Sequence, residues 1–360
     1  MSGPHGAGDV IDGRYEIRSD VGEGGMQFVY AAHDKLIGRM VALKTPKNKS
    51  ATKRFKRSAI VAAKVNHPNV AKTLDYVRDG TNRYLIEELI EGSDLQDALL
   101  HRSGCLDPYS AAKVFHHLAK GVAAAHHAGV VHRDLKPTNV MVVGGYSLNE
   151  IKITDFGIAK MANEELIEAA EGGTSTMTTS QTAVGALPYM APEAIETPRA
   201  VGSAADVWSV GAMMFHLLSG APPFGTGLAA VRRILDGTPP PTPAFLTANP
   251  QFASLAKELM DVALQCLQKN PDDRPMADEI VTLCGMLCYS IEPRAEGVIR
   301  RIDYGAYGFI ETEGPDVFFH TSSVYGPRLV QVGANVIFAS YDGGGARRAH
   351  PVVVVDAPQA

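Results

Sequence analysis

The chain has 360 residues, of which 45% are hydrophobic and 20% are charged, and its formal net charge is −5. This length favours two or three domains, and the ordinary balance of residue types excludes disorder along the whole chain. The net charge also excludes a protein that is strongly basic throughout and binds nucleic acid or membrane surfaces for that reason.

The N-terminus and the cysteines indicate the cellular setting. Residues 1–13 are rich in glycine and lack the apolar segment of a signal peptide, so we expect a flexible N-terminus. No run of about 18 apolar residues is present. Four cysteines are too few for a disulfide scaffold, and Cys284 and Cys288 lack nearby partners for a zinc site. We therefore expect reduced thiols, a cytoplasmic protein and no membrane partner.

The pattern along the chain divides it into three parts. Residues 14–90 contain five short strand-like runs and one helical pattern at 54–65. Helical spacing dominates residues 94–128 and again 206–289. Residues 296–355 are short strands rich in Val, Phe, Tyr and Gly, without lysine. The sequence therefore predicts a small sheet lobe, a larger helical lobe and a separate β module.

Two weak signals for phosphate binding occur in the first part. Gly22, Gly24 and Gly25 lie between two strand-like runs, where closely spaced glycines let backbone N–H groups approach a phosphate. A glycine-rich turn is nevertheless more often a simple hairpin. Lys44 ends the next strand-like run, and a lysine in that place is usually a solvated charge.

Three further motifs are decisive. Residues 132–139 read His-Arg-Asp-Leu-Lys-Pro-Thr-Asn, residues 155–157 read Asp-Phe-Gly and residues 191–193 read Ala-Pro-Glu. In this order they resemble the protein kinase family, and specifically its bacterial serine/threonine members. The resemblance implies an α+β bilobal protein kinase fold, with a small lobe at 14–91 and a large lobe at 92–291.

The resemblance also implies a reaction, transfer of the γ-phosphate of ATP to protein hydroxyl groups with Mg²⁺ as cofactor. Asp134 would accept or orient the substrate hydroxyl, and Lys136 would neutralise the moving phosphoryl group. Asn139 and Asp155 would hold Mg²⁺, and Lys44 would hold the α- and β-phosphates. The nucleotide site as a whole would comprise Gly22, Gly24, Gly25, Val29, Ala42, Lys44, Glu87, Glu88 and Leu89.

Residues 155–193 match the activation segment of the family. Arg133 is placed where an arginine often pairs with a phosphate on that segment. The candidate phosphorylation sites are Thr178, Thr179, Ser180 and Thr182. An unregulated polar loop is the alternative interpretation.

The chain departs from the family at four positions. Gln27 replaces the third glycine of the phosphate loop, and Ala186 replaces a usual threonine near the substrate. Ser58 stands where a helix glutamate normally pairs with the strand lysine, and no acidic residue lies between residues 53 and 64. Glu87 occupies the gatekeeper position, which is usually apolar.

The last departure compensates for the missing helix glutamate in our hypothesis. We expect Glu87 to pair with Lys44, because a buried charge without a partner is costly. An outward-facing Glu87 or a misalignment by one residue is the alternative. The base and metal residues are intact, so the sequence favours a slow or conditional kinase over a pseudokinase that serves as a nucleotide-binding scaffold.

The third part contains two aromatic motifs. Residues 304–310 read Tyr-Gly-Ala-Tyr-Gly-Phe-Ile and residues 316–322 read Asp-Val-Phe-Phe-His-Thr-Ser. Alternation along strands places the aromatic side chains on one face, as base stacking requires. The pair resembles the nucleic-acid-binding motifs of the cold-shock domain, which implies a small all-β OB-type barrel over 294–357. Single-stranded RNA or DNA would contact Arg301, Tyr307, Phe309, Phe318 and His320.

The barrel also departs from its family. Arg301 stands in place of a tryptophan, Gly305 in place of a lysine and Thr321 in place of an aromatic residue. Residues 294–360 contain six arginines and seven acidic residues, so we expect weak binding to nucleic acid. A barrel that serves folding or protein contacts is the alternative. We expect the module to fold independently of the kinase lobes.

Overall fold

The structure is a computed structural model that describes residues 3–23, 27–47, 52–156, 185–198, 201–287, 289 and 292–357. A small β lobe, a larger helical lobe and a C-terminal barrel follow one another along the chain, as the sequence pattern predicts. Within the described ranges, none of the helices has both the length and the apolar character needed to cross a membrane.

The small lobe is an antiparallel sheet with the strand order β1-β2-β3-β4-β6-β5. Helix α1 packs on it through Phe55, whose ring contacts Leu85 and Tyr76. The elements are β1 (Val10–Ile11), β2 (Tyr15–Glu23), β3 (Gln27–Asp34), β4 (Arg39–Pro46), α1 (Thr52–Ala62), β5 (Thr73–Asp79) and β6 (Asn82–Glu88).

Residues 3–13 were expected to be flexible, but they lie against the small lobe. Ile11 on β1 pairs with Tyr15 on β2. The imidazole of His5 contacts the rings of Tyr30 and Tyr84, with centroids 5.7 and 5.6 Å away. One histidine and one isoleucine in a glycine-rich stretch form too weak a pattern for composition to predict these contacts.

The large lobe is built around the 20-residue helix α3. The Asp107 carboxylate accepts hydrogen bonds from the backbone N–H groups of Tyr109 and Ser110, which starts α3. The helical run predicted over 94–128 is interrupted at Gly104, whose φ is +75°. The lobe contains β7 (Ser93–Asp94), α2 (His101–Ser103), α3 (Pro108–His127), β8 (Val140–Val143), β9 (Glu150–Ile153), α4 (Pro192–Glu196), α5 (Ala204–Ser219), α6 (Ala229–Asp236), α7 (Phe245–Ala248), α8 (Pro250–Cys266) and α9 (Ala277–Gly285).

The C-terminal part is a barrel with its own apolar core. Its strands are β10 (Arg294–Asp303), β11 (Tyr307–Glu311), β12 (Val317–His320), β13 (Val324–Tyr325), β14 (Asn335–Tyr341) and β15 (Arg348–Val355). They are ordered β12-β11-β10-β14-β15-β13, and a further pairing of β12 with β15 closes the sheet. Ile299, Ile310, Phe319, Val336, Phe338 and Val352 fill the interior.

The barrel packs on the large lobe through aromatic side chains. Tyr325 is buried in the same apolar cluster as Phe252 of α8, and their ring centroids are 5.1 Å apart. The ring of His350 stacks on Phe252 at 5.1 Å and meets Tyr109 at 5.8 Å. Removing the barrel would expose Tyr109 and Phe252, so this interface argues against a module that is independent of the kinase lobes.

Polar contacts surround this aromatic cluster. Arg294 pairs with Asp107 at 3.1 Å, and each of these side chains is 5% exposed. Arg102 donates two hydrogen bonds to the Glu296 carboxylate, at 2.8 and 3.0 Å. The Asn249 amide donates to the backbone carbonyls of 322 and 324. These contacts fix the orientation of the barrel on the large lobe.

The interface predicts a large effect of Tyr325 on stability. Tyr325→Ala should lower the free energy of unfolding by about 3 kcal/mol, as aromatic-to-alanine substitutions in cores do. Equilibrium urea unfolding measures this change. Tyr304→Ala is the matched control, because Tyr304 is 94% exposed on the same barrel, and it should change the value by about 0.5 kcal/mol or less. Equal losses in the two variants would contradict the interface.

Candidate active site

The register of the small-lobe sheet places the candidate nucleotide residues on one face. Lys44 on β4 lies opposite Val29 on β3, and Ala42 lies opposite Glu87 on β6. Side chains alternate along each strand, so Gln27 also shares this face. The strand pattern alone therefore brings two charged groups and one amide together.

Lys44 is held between two carboxylates. Its Nζ atom is 2.6 Å from Oε2 of Glu87 and 2.7 Å from Oδ1 of Asp155. Lys44 and Glu87 are only 6% and 3% exposed, whereas the Asp155 side chain is 27% exposed. The structure confirms the hypothesis that Glu87 is a partner of Lys44. The partner is supplied by strand β6 and not by helix α1.

The charges of this group determine its protonation. Burial lowers the pKa of Lys44, but the carboxylates of Asp155 and Glu87 outweigh burial, and the pKa lies above its ordinary value. Burial raises the pKa of Glu87 despite the opposing effect of Lys44. Desolvation also acts to raise the pKa of Asp155, yet the Lys44 ammonium holds that pKa below its usual range. Lys44 is therefore a fixed positive charge at neutral pH.

Gln27 is a second partner of Asp155. The Nε2 atom of Gln27 donates a hydrogen bond of 2.9 Å to Oδ1 of Asp155, and Gln27 is 5% exposed. In the sequence, Gln27 is recognised only as a replacement for the third glycine of the phosphate loop. Its contact joins residues 128 positions apart, and no local pattern signals such a contact.

The candidate catalytic residues converge on one carboxylate. Oδ2 of Asp134 accepts hydrogen bonds from Nζ of Lys136 at 2.9 Å and from Nδ2 of Asn139 at 3.1 Å. The same Asn139 amide donates to the backbone carbonyl of Asp134 at 2.7 Å. These bonds hold the Asp134 side chain in one orientation while leaving it 23% exposed.

The carboxylate of Asp206, near the start of α5, holds the backbone that precedes Asp134. Its Oδ1 accepts from the backbone N–H of Arg133 at 2.7 Å, and its Oδ2 accepts from that of His132 at 2.8 Å. Arg133 and Asp155 have φ values of +70° and +63°, a left-handed conformation that costs energy outside glycine. The sequence does not predict this role of Asp206, because its contacts join residues that are 73 and 74 positions apart.

The oxygen donors near Asp155 fit a magnesium ion. The backbone N–H of Thr154 donates to the carbonyl of Asn139 at 2.9 Å, which places Asn139 beside Asp155. Among the described residues the Asn139 side chain uses only its NH₂ group, on Asp134, so its Oδ1 atom is available to a cation. Asp155 uses Oδ1 on Lys44 and Gln27, and its Oδ2 has no hydrogen-bond partner in the part of the chain that the structure describes. Carboxylate and amide oxygens are suitable ligands for Mg²⁺.

The remaining nucleotide candidates fall in different places. Gly22 lies on β2 opposite Val29, whereas Gly24 and Gly25 lie outside the described residues. Leu89 follows β6 and is half-buried. The Glu88 carboxylate does not face the nucleotide side, because it pairs with Lys152 of the large lobe. This ion pair does not test a nucleotide contact through the Glu88 backbone, so Glu88 stays a predicted nucleotide residue.

Most of the residues predicted to take part in regulation lie outside the described residues. Thr178, Thr179, Ser180 and Thr182 lie outside the described residues. Arg133, their expected partner after phosphorylation, donates from Nη2 to the backbone carbonyl of Val201 at 3.0 Å. Phosphorylation of this segment stays a prediction.

The barrel carries a second candidate site, formed by aromatic side chains on β11 and β12. The rings of Tyr307, Phe309 and Phe318 lie 5.6 to 6.4 Å apart, centroid to centroid. The Arg301 guanidinium lies 4.4 Å above the Phe309 ring. Exposed Tyr304, which was not among the predicted contact residues, adjoins Tyr307 at 6.4 Å. Together they form a partly exposed stacking surface.

His320 is linked to the large lobe through Ser322. It pairs with Tyr307 across the strands and is exposed. Its Nδ1 is 2.7 Å from the Ser322 hydroxyl, which accepts a hydrogen bond from Gln251 of α8. His320 therefore connects the aromatic surface with the interface between barrel and kinase lobe.

Comparison with known proteins agrees with the architecture of the first two lobes. The profile of the protein kinase domain matches residues 15–283. A probable serine/threonine-protein kinase of Corynebacterium efficiens is 32% identical over 279 residues, which are 74% of this chain and 40% of that protein. Serine/threonine-protein kinase PknA of Mycobacterium tuberculosis is 32% identical over 297 residues, 77% of this chain and 62% of that protein.

A further relative is a probable serine/threonine-protein kinase of Streptomyces coelicolor, 32% identical over 313 residues. That match covers 82% of this chain and 44% of the relative, so the chain spans less than half the length of several relatives. The chain belongs to the protein kinase family. A domain of this family implies ATP as its phosphoryl donor and Mg²⁺ as its usual cofactor.

The buried pair predicts unequal effects for two neighbouring glutamates on β6. Glu87→Gln should lower the free energy of unfolding by about 3 kcal/mol, because it removes one partner of a buried ion pair. Glu88→Gln, the matched control, should cost about 0.5 kcal/mol, because Glu88 is 35% exposed in its pair with Lys152. Urea unfolding distinguishes the two. The pairing would be contradicted by equal stabilities of the variants.

Proposed function

We propose that the chain is a serine/threonine protein kinase that transfers the γ-phosphate of ATP to hydroxyl groups of protein substrates. The observation that carries the proposal is the convergence of Lys44, Asp134 and Asp155, which come from separate parts of the chain, at one site between the lobes. Membership of the protein kinase family and the names of the relatives support it.

Asp134 is the residue that we assign to the substrate hydroxyl. Its Oδ2 is occupied by hydrogen bonds from Lys136 and Asn139, so Oδ1 is the atom that accepts the hydroxyl proton. Lys136 holds a positive charge beside this carboxylate and stabilises the negative charge of the transferred group. Both side chains are part-buried, which limits water in the site.

The nucleotide is assigned to the opposite side of the site. Lys44 provides a fixed positive charge for the α- and β-phosphates, and Glu87 and Asp155 hold its ammonium in place. Asn139 and Asp155 provide the oxygen atoms that would hold Mg²⁺. When bound, Mg²⁺ neutralises phosphate charge during transfer. Alignment of reactants by these fixed groups is the main source of rate in such a reaction.

Asp134→Asn should strongly slow autophosphorylation. Loss of the base should slow transfer by about 100-fold or more, as measured by intact mass and peptide mapping after phosphatase-treated protein is incubated with Mg-ATP. Asp278→Asn on the exposed end of α9 is the control and should behave as the wild type. Phosphate is expected in the wild type within 174–182.

The alternative function is a pseudokinase scaffold. Nucleotide binding without phosphate gain in the wild type, even with added protein substrates and oligonucleotides, would favour this alternative over the kinase. Equal phosphate gain in wild type and Asp134→Asn would contradict the role of Asp134.

We also propose that residues 294–357 form a cold-shock-like, OB-type domain that binds single-stranded RNA or DNA and is joined to a kinase domain at 14–291. The specific observation that favours this second function is the partly exposed surface of three rings with Arg301 above Phe309. Aromatic faces stack on bases of any sequence. Asp303 and Asp316 pair with Arg301 and Arg300, so we expect modest affinity and a shallow dependence on salt.

The aromatic surface can be tested in the full chain with fluorescent oligo(dT) and oligo(U). Phe309→Ala and Phe318→Ala should each raise Kd about fivefold or more, because each stacked base contributes about 1–3 kcal/mol. Leu329→Ala, at an exposed position elsewhere on the barrel, should leave Kd unchanged. If wild type and both phenylalanine variants bind equally, or none binds, the barrel would serve protein contacts instead.

The cytoplasmic location stays a prediction.

A further inference from the structure

Gln27 stands at the position of the third glycine of the phosphate loop, where the resemblance to the family predicts no side chain. It begins strand β3 and projects from the same face as Lys44. Its side chain is 5% exposed, and its only described hydrogen bond runs from Nε2 to Oδ1 of Asp155 at 2.9 Å. A glutamine on the phosphate-loop strand thus contacts a carboxylate that belongs to the large lobe.

The chemistry of the two groups orients the glutamine amide. An ionised carboxylate only accepts hydrogen bonds, so the NH₂ end of Gln27 must face Asp155. The other end, Oε1, is then buried and has no hydrogen-bond partner among the described residues. Leaving a buried amide oxygen without a donor is costly, so this atom indicates a partner that is bound rather than built in.

The same contacts orient the Asp155 carboxylate. Lys44 and Gln27 both donate to Oδ1, at 2.7 and 2.9 Å. Among the described residues Oδ2 has no hydrogen-bond partner, so it is available to another ligand. Lys44, Glu87 and Asp155 together carry one net negative charge, which favours a cation at this place.

We propose that Gln27 is a positioning residue of the metal–nucleotide site. Its NH₂ group fixes Asp155 so that Oδ2 holds the divalent cation, and its Oε1 accepts a hydrogen bond from a water molecule in the cation's hydration shell. Mg²⁺ retains several waters in protein sites, and such waters provide the missing donors. The inference rests on the proposed kinase function, since it assigns Asp155 to the metal.

The test is the binding of Mn²⁺, followed by electron paramagnetic resonance, in the full chain with a non-hydrolysable ATP analogue. Gln27→Met retains the length of the side chain and removes both hydrogen-bonding ends. It should raise the Kd of Mn²⁺ five- to tenfold and leave the Kd of the metal-free analogue within twofold. Gln265→Met, on the exposed side of α8, is the matched control and should match the wild type.

A second variant, Gln27→Leu, should show the same metal-specific loss, and thermal unfolding without ligands checks that each variant is folded. Unchanged Mn²⁺ affinity in folded variants would overturn the proposal, as would equal weakening of the metal-bound and metal-free nucleotide. Failure of the wild type to bind the Mn²⁺–nucleotide pair would instead overturn the proposed kinase function, so the two failures are distinguishable.

Discussion

The ammonium of Lys44 lies between the carboxylates of Glu87 and Asp155, and the geometry of the site depends on this contact. Glu87 comes from the strand beside the lysine strand, so both partners belong to one hydrogen-bonded sheet. Such a pair needs no movement of helix α1 to form. Asp155 belongs to the large lobe, so its contact with Lys44 links the two lobes. One interaction therefore holds the lysine and also joins the two lobes at the place of reaction.

The electrostatics of this group favour the chemistry that follows. Two carboxylates and one ammonium leave a net negative charge in a poorly solvated place. A divalent cation would reverse that charge, and the phosphates of a nucleotide would then be attracted to it. Departures from the family at Gln27 and Glu87 thus act on the same carboxylate–lysine group and do not weaken separate parts of the site.

The barrel is an integral part of this molecule in structural terms. Tyr325 and His350 cover Phe252 of the large lobe, while Tyr304 and Tyr307 lie on a partly exposed surface. One side of the barrel is therefore used for attachment and another is open for a ligand. The hydrogen bonds of Ser322 to His320 and Gln251 connect these two sides.

The order of the kinase motifs along the chain and the alternation of side chains along the strands predict much of the fold and of the site. The Lys44–Glu87 pair follows from alternation together with the lack of an acidic residue in α1. Other contacts could not be predicted, because they join distant segments. Gln27 contacts Asp155, and Lys152 pairs with Glu88. The sequence around Tyr325 also gives no sign that its ring packs on helix α8.

The most direct test of the account is the single-turnover rate of phosphoryl transfer from Mg-ATP in the wild type and in Glu87→Gln, with a folded state verified for both. The account predicts a rate at least about tenfold lower in Glu87→Gln, which corresponds to a loss of about 1.4 kcal/mol of transition-state stabilisation. A rate equal to that of an active wild type would contradict the claim that Glu87 takes the place of the helix glutamate in holding Lys44.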